Sequence, residues 1–132
     1  VGARVEIDHM GPTLMDICDV APYDGVQGRS LAPLLADPSA AVRDWVLIED
    51  DVAAITAKLT PIPGKTRTLV TEQMRYTRNA KGEEQLFDLL TDPDEMMDLK
   101  KVDRQARADM VDRLTDALIA ADDVARGAPA TA

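Results

Sequence analysis

Aromatic side chains make up only 3% of this 132-residue sequence, with one tryptophan, two tyrosines and one phenylalanine. Proteins that bind single-stranded nucleic acid without sequence preference stack the bases on aromatic side chains. The net charge is −9, so the phosphates of nucleic acid and an anionic membrane surface would both be repelled. The composition therefore predicts no nucleic-acid partner and no membrane partner.

Cysteine and long apolar runs are also scarce. Cys18 is the single cysteine, so no internal disulfide can form and the redox compartment stays open. No apolar run approaches the ~20 residues of a membrane-spanning helix, and no signal peptide is visible. A cytoplasmic and a periplasmic location both stay open. The sequence begins with Val1 rather than methionine, which fits a processed or excised piece.

The hydrophobic pattern predicts an α+β fold: a small, mostly antiparallel four-stranded sheet packed by a long carboxyl-terminal helix, with short amino-terminal helices. Strands are predicted at residues 45–49, 68–72, 74–79 and 85–90. From Asp103 to about Val124, apolar residues recur at helical spacing, which predicts an amphipathic helix across the sheet. That stripe consists of Ala106, Met110, Val111, Leu114, Ala117, Leu118 and Ala121.

One domain is expected over residues 1–132, because this length is sufficient for a hydrophobic core. Within it, residues 1–44 are predicted to form a helical connecting segment and 45–90 the sheet. Residues 91–126 would form a capped turn and the terminal helix, and 127–132 a tail.

The amino-terminal segment carries several local signals. Residues 5–7 could form a short strand, and Gly11-Pro12 opens a predicted helix that closes near Asp19. Ser30 is placed to cap a short helix through Leu34 and Leu35. Residues 53–65 lack a clear period and predict a long surface loop, a class that is often functional in compact domains.

Residues 83–99 form the most informative stretch. They predict a strand that is covered at least partly on both sides and then turns into a helix. Asp92 suits the N-cap, Pro93 the first helical position, and Glu95 could reach back as in a capping box. Met96 and Leu99 would pack this turn against the sheet. The carboxylates of this stretch are better explained as caps than as acids or ligands.

The wording of this stretch also resembles a signature near the carboxyl end of sulfatases, which reads roughly G-E-x-E-L-Y-D-L-x-x-D-P-x-E-x-x-N-L. Phe87 replaces the usual tyrosine, Gln85 a glutamate and Asp98 an asparagine. The identical positions are Gly82, Glu83, Leu86, Asp88, Leu89, Asp92, Pro93, Glu95 and Leu99.

Three further stretches resemble sulfatases in the same order along the chain. Residues 11–17, GPTLMDI, are similar to the family's P-T-L-L-D-L helix start, and 25–35 to its D-G-x-S-L-x-P-L-L segment. Residues 67–76 are similar to the strand pair that precedes the signature. The resemblance covers about residues 5 to 100, and four stretches in register over that span are specific.

The resemblance implies a parent enzyme that cleaves sulfate esters with formylglycine, made from cysteine, and a divalent cation, usually calcium. The family's cysteine lies in a C-x-P-S-R or C-x-A-x-R stretch, whereas Cys18 is followed by Asp-Val-Ala-Pro. The family's metal ligands lie in an upstream α/β domain and have no match here. We therefore expect no catalytic residue, no metal ligand and no cofactor in this chain. Its expected partner is the parent's catalytic α/β domain, through which it would meet a sulfate ester.

Five residues are candidates for lining the parent's cleft. Glu49 and Asp50 end a predicted strand and could help to bind a hard cation, although a solvated acidic loop is the simpler interpretation. Lys65 and Arg67 could meet an anionic sulfate group. His9 is the single histidine, and a surface or capping role is its simplest interpretation.

Two other functions stay open. The parent could be a phosphonate or phosphate ester hydrolase of the same alkaline-phosphatase-like superfamily, or the chain could be a non-catalytic binding or assembly module. A subdomain separated from its parent would expose an apolar face, so self-association is a further expectation.

Overall fold

The computed structural model describes residues 5–40, 43–50 and 64–125, with side chains as far as Asp122. It has the predicted α+β architecture. Helices α1, α2 and α3 span Met10–Ile17, Ala32–Ala36 and Arg104–Ala125, and a turn of 3-10 helix, Ile7–His9, precedes α1. The strands are β1 (Trp45–Asp50), β2 (Thr66–Thr71), β3 (Met74–Asn79) and β4 (Glu84–Asp88).

The chain divides into two compact units, one of residues 45–116 and one of residues 1–44 together with 117–132. The first unit contains the sheet, whose strands lie in the order β1-β2-β3-β4 with every neighbouring pair antiparallel. The four predicted strands are therefore confirmed, with bounds shifted by at most two residues. Short loops at residues 72–73 and 80–83 join β2 to β3 and β3 to β4, and loops of two to five residues are typical between antiparallel neighbours.

One face of the sheet carries the core of this unit. Leu69, Tyr76 and Leu86 lie opposite one another on β2, β3 and β4, and each is fully buried. Met110 and Leu114, one helical turn apart on α3, are buried as well. Five side chains that leave water in this way supply the main stabilisation of the unit, since each contributes about 1.5–3 kcal/mol.

On the opposite face of the sheet, side chains of neighbouring strands form a hydroxyl pair and a guanidinium–aromatic pair. The hydroxyl oxygens of Thr68 and Thr77 lie 2.9 Å apart on neighbouring strands. The guanidinium of Arg75 lies 5.0 Å from the ring centre of Phe87, its register partner on β4. Leu86 and Phe87 are both buried, which confirms that β4 is covered on both sides.

Glu84 connects β4 to the rest of the sheet unit. Its carboxylate accepts a hydrogen bond from the Tyr76 hydroxyl at 2.6 Å and another from Arg107 Nε of α3 at 2.7 Å. Burial alone would raise the pKa of Glu84, but the hydrogen bonds from Arg107 and Tyr76 outweigh it and hold that pKa below its ordinary value. Burial, reinforced by Glu84, raises the pKa of Tyr76 to about 12.

The outer edge of β4 is covered by the segment that follows it. Leu99 N–H donates to the Leu86 carbonyl at 2.8 Å, and Leu86 N–H donates to the Asp98 carboxylate at 3.2 Å. The Lys100 ammonium donates to the Glu84 carbonyl at 2.7 Å. These contacts satisfy backbone groups that an exposed edge strand would offer to other chains.

The predicted capping box after β4 is wrong. Residues 89–97 form turns instead of a helix, and Glu95 has a positive φ of 54°. Its carboxylate does not reach back to Asp92, because it pairs with Arg75 at 2.6 Å. Asp92 does accept backbone N–H groups, but those of Met96 and Met97.

Other local predictions had mixed outcomes. Met96 is 84% exposed, so its predicted packing against the sheet is wrong. The strand predicted at residues 5–7 is wrong too, because Ile7 already begins the 3-10 turn. The predicted capping of α2 by Ser30 is wrong, because Leu31 occupies the N-cap position without a side-chain capping bond; Ser30 Oγ accepts the Ala32 N–H at 3.1 Å in a turn before the helix. Most of the loop predicted at residues 53–65, and the end of the terminal helix beyond Ala125, lie outside the described residues.

The predicted stripe of α3 is confirmed. Met110, Leu114 and Ala117 are buried, whereas Asp109 and Asp112 on the other face are exposed. The Asp103 carboxylate accepts the Ala106 N–H at 2.9 Å and so caps the start of the helix. Within the described part of the chain, none of the helices has the length and apolarity required to cross a membrane.

Removal of the negative charge of Glu84 should lower the stability of the sheet unit, and the size of this loss should depend on pH. We expect Glu84→Gln to lower the free energy of unfolding at pH 7 by about 1–2 kcal/mol, because hydrogen bonds to an ionised group exceed neutral ones. The folded-state pKa is depressed, so this contribution is present above the ordinary glutamate pKa of about 4.3 and is lost as pH falls through the folded value. Urea unfolding at pH 7, 5 and 3 measures it.

The matched control is Asp94→Asn, which removes one exposed carboxylate from the turn after β4. This variant should unfold like the unmodified chain at all three pH values. An equal loss in both variants, or a Glu84→Gln deficit that persists undiminished at pH 3, would contradict the role assigned to Glu84.

Candidate functional site

The structure brings two of the predicted cleft residues together. Glu49 on β1 lies opposite Arg67 on β2, and Arg67 Nε is 2.7 Å from Glu49 Oε1. Arg67 Nη1 also donates to the backbone carbonyl of Thr66 at 2.9 Å. The two side chains are 48% and 30% exposed, so their pairing contributes little to stability, about 0–1 kcal/mol. The pair is a small charged feature on the surface of the sheet.

Asp50 and Lys65 do not join Glu49 in one cluster of ligands. Asp50 is half-buried and follows Glu49 directly on β1, and successive side chains of a strand point to opposite faces. Lys65 is exposed and immediately precedes β2. Asp51, which continued the predicted acidic loop, lies outside the described residues.

His9 belongs to the other unit, and its side chain is 1% exposed. It precedes α1, as a capping residue would, but it makes no side-chain capping hydrogen bond. Instead, Nδ1 lies 2.6 Å from the Asp8 carboxylate and 3.9 Å from that of Glu6. The predicted surface position is therefore wrong, because the imidazole is enclosed beside two acidic side chains.

Glu6, Asp8 and His9 form a trio whose ligand atoms lie within 4.8 Å of one another. Of these three residues only His9 was a candidate from the sequence, although the E-x-D-H spacing of residues 6–9 was a readable signal for the trio. The donors are already engaged, because Glu6 Oε2 binds Arg43 Nη1 at 2.7 Å and Asp8 binds His9. Calcium prefers six to eight oxygen ligands. Two engaged carboxylates and an imidazole do not fit the calcium site that the sulfatase resemblance implies.

Cys18 does not fit the other implied group, formylglycine. Its side chain is exposed just after the end of α1, and Asp19 follows with a positive φ of 55°. The sequence from Cys18 to Pro22 lacks both forms of the family's nucleophile stretch. Among the described residues, neither Cys18 nor the trio of Glu6, Asp8 and His9 fits the groups that the sulfatase resemblance implies.

Two carboxylates of residues 83–99, those of Asp88 and Asp98, accept hydrogen bonds from nearby backbone N–H groups. The N–H groups of Leu90 and Thr91 bind Asp88 and hold its pKa below the ordinary value. Burial opposes the same effect at Asp98, but hydrogen bonds from Lys100 and Leu86 outweigh it and lower that pKa too. A general acid near neutral pH needs a raised pKa. Asp88 and Asp98 therefore act as caps of backbone N–H groups, as predicted, whereas Glu84 and Glu95 bind side chains.

No protein-family model matches the sequence, and no curated protein does either. Solved structures do match it. BT4656, solved in complex with its substrate D-glucosamine-2-N,6-O-disulfate, superposes with a TM-score of 0.75 at 17% identity over 87% of this chain. BT1596, a 2-O glycosaminoglycan sulfatase, gives 0.69 at 23% identity over 91%. The phosphonate monoester hydrolase of Agrobacterium radiobacter gives 0.64 at 22% identity over 86%.

This chain spans only a quarter of those proteins: 24% of BT4656, 27% of BT1596 and 24% of the phosphonate hydrolase. The likeness concerns the fold, and these matches cover 86–91% of this chain. The resemblance of the four sequence stretches and the independent superposition of the fold lead to the same group of enzymes. The chain has the fold of a segment that these two sulfatase structures and the phosphonate hydrolase share, as the resemblance of its sequence predicts.

Proposed function

We propose that this chain is the carboxyl-terminal subdomain of an enzyme that hydrolyses sulfate esters, and that it supports the catalytic domain without contributing a catalytic group. The observation that carries this proposal is the asymmetry of the structural match. Nearly nine-tenths of this chain superposes on BT4656, but only about a quarter of BT4656 is matched. The remaining part of such an enzyme would hold the formylglycine, the divalent cation and their ligands.

Sulfate is favoured over phosphonate as the substrate class by the sequence. The four stretches of residues 11–17, 25–35, 67–76 and 82–99 resemble sulfatases in register. The phosphonate monoester hydrolase shares the fold, so the fold alone does not separate the two chemistries. Substrate choice would be determined by the nucleophile stretch and its neighbours in the catalytic domain.

The 132-residue chain by itself should not hydrolyse sulfate esters. We expect no turnover of 4-nitrophenyl sulfate above background, with or without calcium. The polypeptide that combines this chain with a catalytic domain from the same source, including a C-x-P-S-R or C-x-A-x-R stretch, should turn it over in a metal-dependent manner. Both polypeptides are assayed by the release of 4-nitrophenol from 4-nitrophenyl sulfate. The 4-nitrophenyl monoester of phenylphosphonate is assayed in parallel.

Metal-dependent hydrolysis of the aryl sulfate by the isolated chain would refute the supporting role. Preference of the combined polypeptide for the phosphonate would move the assignment to the sister class of hydrolases. Inactivity on both substrates would favour a non-catalytic binding or assembly module.

Arg67 and Lys65 are proposed to line one wall of the parent's cleft, with Glu49 and Asp50 beside them. The support is local: Arg67 is partly exposed, and its guanidinium retains charge on a rigid strand. Arginine is suited to oxyanions such as sulfate, because its planar N–H groups bind two oxygens at once. Glu49 now occupies that guanidinium, so a sulfate group would have to compete with a carboxylate 2.7 Å away.

This competition predicts opposite effects for the two partners in the combined enzyme. Arg67→Ala should raise the KM for an aryl sulfate about 3- to 10-fold with little change in kcat, because a partly exposed charge-assisted contact is lost. Glu49→Gln should lower KM, because it releases the guanidinium. Arg104→Ala is the control, since Arg104 is an exposed cation on α3 and outside this strand pair. An unchanged KM for Arg67→Ala would remove Arg67 from the cleft.

A further inference from the structure

Helix α1 presents its apolar side chains to solvent. Met10, Leu14 and Ile17 recur at helical spacing on one face, and Ile7 precedes them in the 3-10 turn. These four residues, the α1 stripe, are 85% (Ile7), 55% (Met10), 59% (Leu14) and 59% (Ile17) exposed. No residue of α1 is buried. Single exposed apolar side chains are ordinary, but a contiguous row on one face marks an interaction surface.

The polar side chains of the same segment make the local contacts. Thr13 Oγ1 accepts the Leu31 N–H at 2.8 Å, and Ser30 Oγ donates to the Asp16 carboxylate at 2.5 Å. Gly28 approaches the backbone of Asp8 so closely that a Cβ atom there would overlap the Asp8 carbonyl. The segment around residues 28–31 is therefore held on the polar side of α1, and the described part of this unit leaves the apolar side exposed.

With its apolar face exposed to water, α1 gains little stability from packing. An eight-residue helix is too short to be stable in water through its own hydrogen bonds, so it depends on burial of an apolar face. Burial of a large aliphatic side chain contributes about 1.5–3 kcal/mol, so a cover over the α1 stripe would contribute several kcal/mol.

We propose that the α1 stripe is the docking surface for the catalytic α/β domain of the sulfatase-like enzyme. This inference rests on the proposed function and names the surface by which the two parts meet. The chain spans only 24–29% of the structures it matches, so about three-quarters of such an enzyme lies outside the fold described. The sheet of an α/β domain is covered by helices whose apolar faces pack on it, which is the contact that the stripe offers.

A second copy of this chain is a poorer occupant. Asp8, Asp16 and Asp19 are exposed beside the stripe, and each chain carries a net charge of −9. Two copies facing each other would bring these carboxylates together around an apolar centre, and like charges at an interface are unfavourable. The complementary partner is an apolar surface with a neutral or basic rim.

Site-specific photo-crosslinking tests the docking surface. Leu14 is replaced by benzoylphenylalanine in the polypeptide that the source gene encodes, expressed in the source cells. Val102, which is 76% exposed in the sheet unit, is the control position. Crosslinked peptides are then identified by mass spectrometry. We expect about tenfold more crosslink at Leu14 than at Val102, because an interface holds its probe against the partner. The captured peptide should belong to the α/β part of a polypeptide containing C-x-P-S-R or C-x-A-x-R.

Three outcomes would overturn the proposal: a crosslink from Leu14 to another copy of this chain, a crosslink to any other protein, or no excess over Val102. Met10 offers a second probe position on the same stripe if the Leu14 variant does not fold. The activity assays report on the proposed function separately. Active enzyme without the Leu14 crosslink would remove only the docking surface, whereas the crosslink in an enzyme inactive on sulfate esters would remove only the substrate assignment.

Discussion

The sheet unit depends on the ionised carboxylate of Glu84. Through Tyr76 it is tied to the central strand, and through Arg107 to the terminal helix, while its own carbonyl receives Lys100 from the segment after β4. A largely buried carboxylate is stable only when its oxygens are hydrogen-bonded, and here both are. The contacts of Glu84 thus connect the buried row of Leu69, Tyr76 and Leu86 with the first turns of α3.

Hydrogen bonds and ion pairs also engage the carboxylates of the stretch that resembles sulfatases. The carboxylates of Asp88, Asp92 and Asp98 accept backbone N–H groups, and Glu95 pairs with Arg75. Asp98 stands where the family pattern has asparagine, and both side chains can accept the Leu86 N–H that secures the edge of β4. The pattern therefore specifies a turn and a covered strand edge, which is a structural task that suits a supporting subdomain.

The alternation of apolar residues was sufficient to predict the sheet and the terminal helix, because periods of two and 3.6 residues are strong signals over these lengths. The absence of the capping box after β4 was not predictable, since the signal of Asp92 and Pro93 is local whereas Arg75, which binds Glu95, lies 20 residues away in sequence. The burial of His9 was hidden for the same reason. Its environment depends on Glu6, Asp8 and the approach of Gly28, which no periodicity reports.

The two units differ in how they satisfy their apolar residues, and this difference is the central claim about the chain. The sheet unit has an internal core of Leu69, Tyr76, Leu86, Met110 and Leu114, whereas no residue of α1 is buried. Amide hydrogen exchange on the 132-residue chain tests the claim most directly. The account predicts that the amides of α1 exchange at least about a hundredfold faster than those of β3 around Tyr76, because protection follows local stability. Equal protection of α1 and β3 in the isolated chain would contradict it.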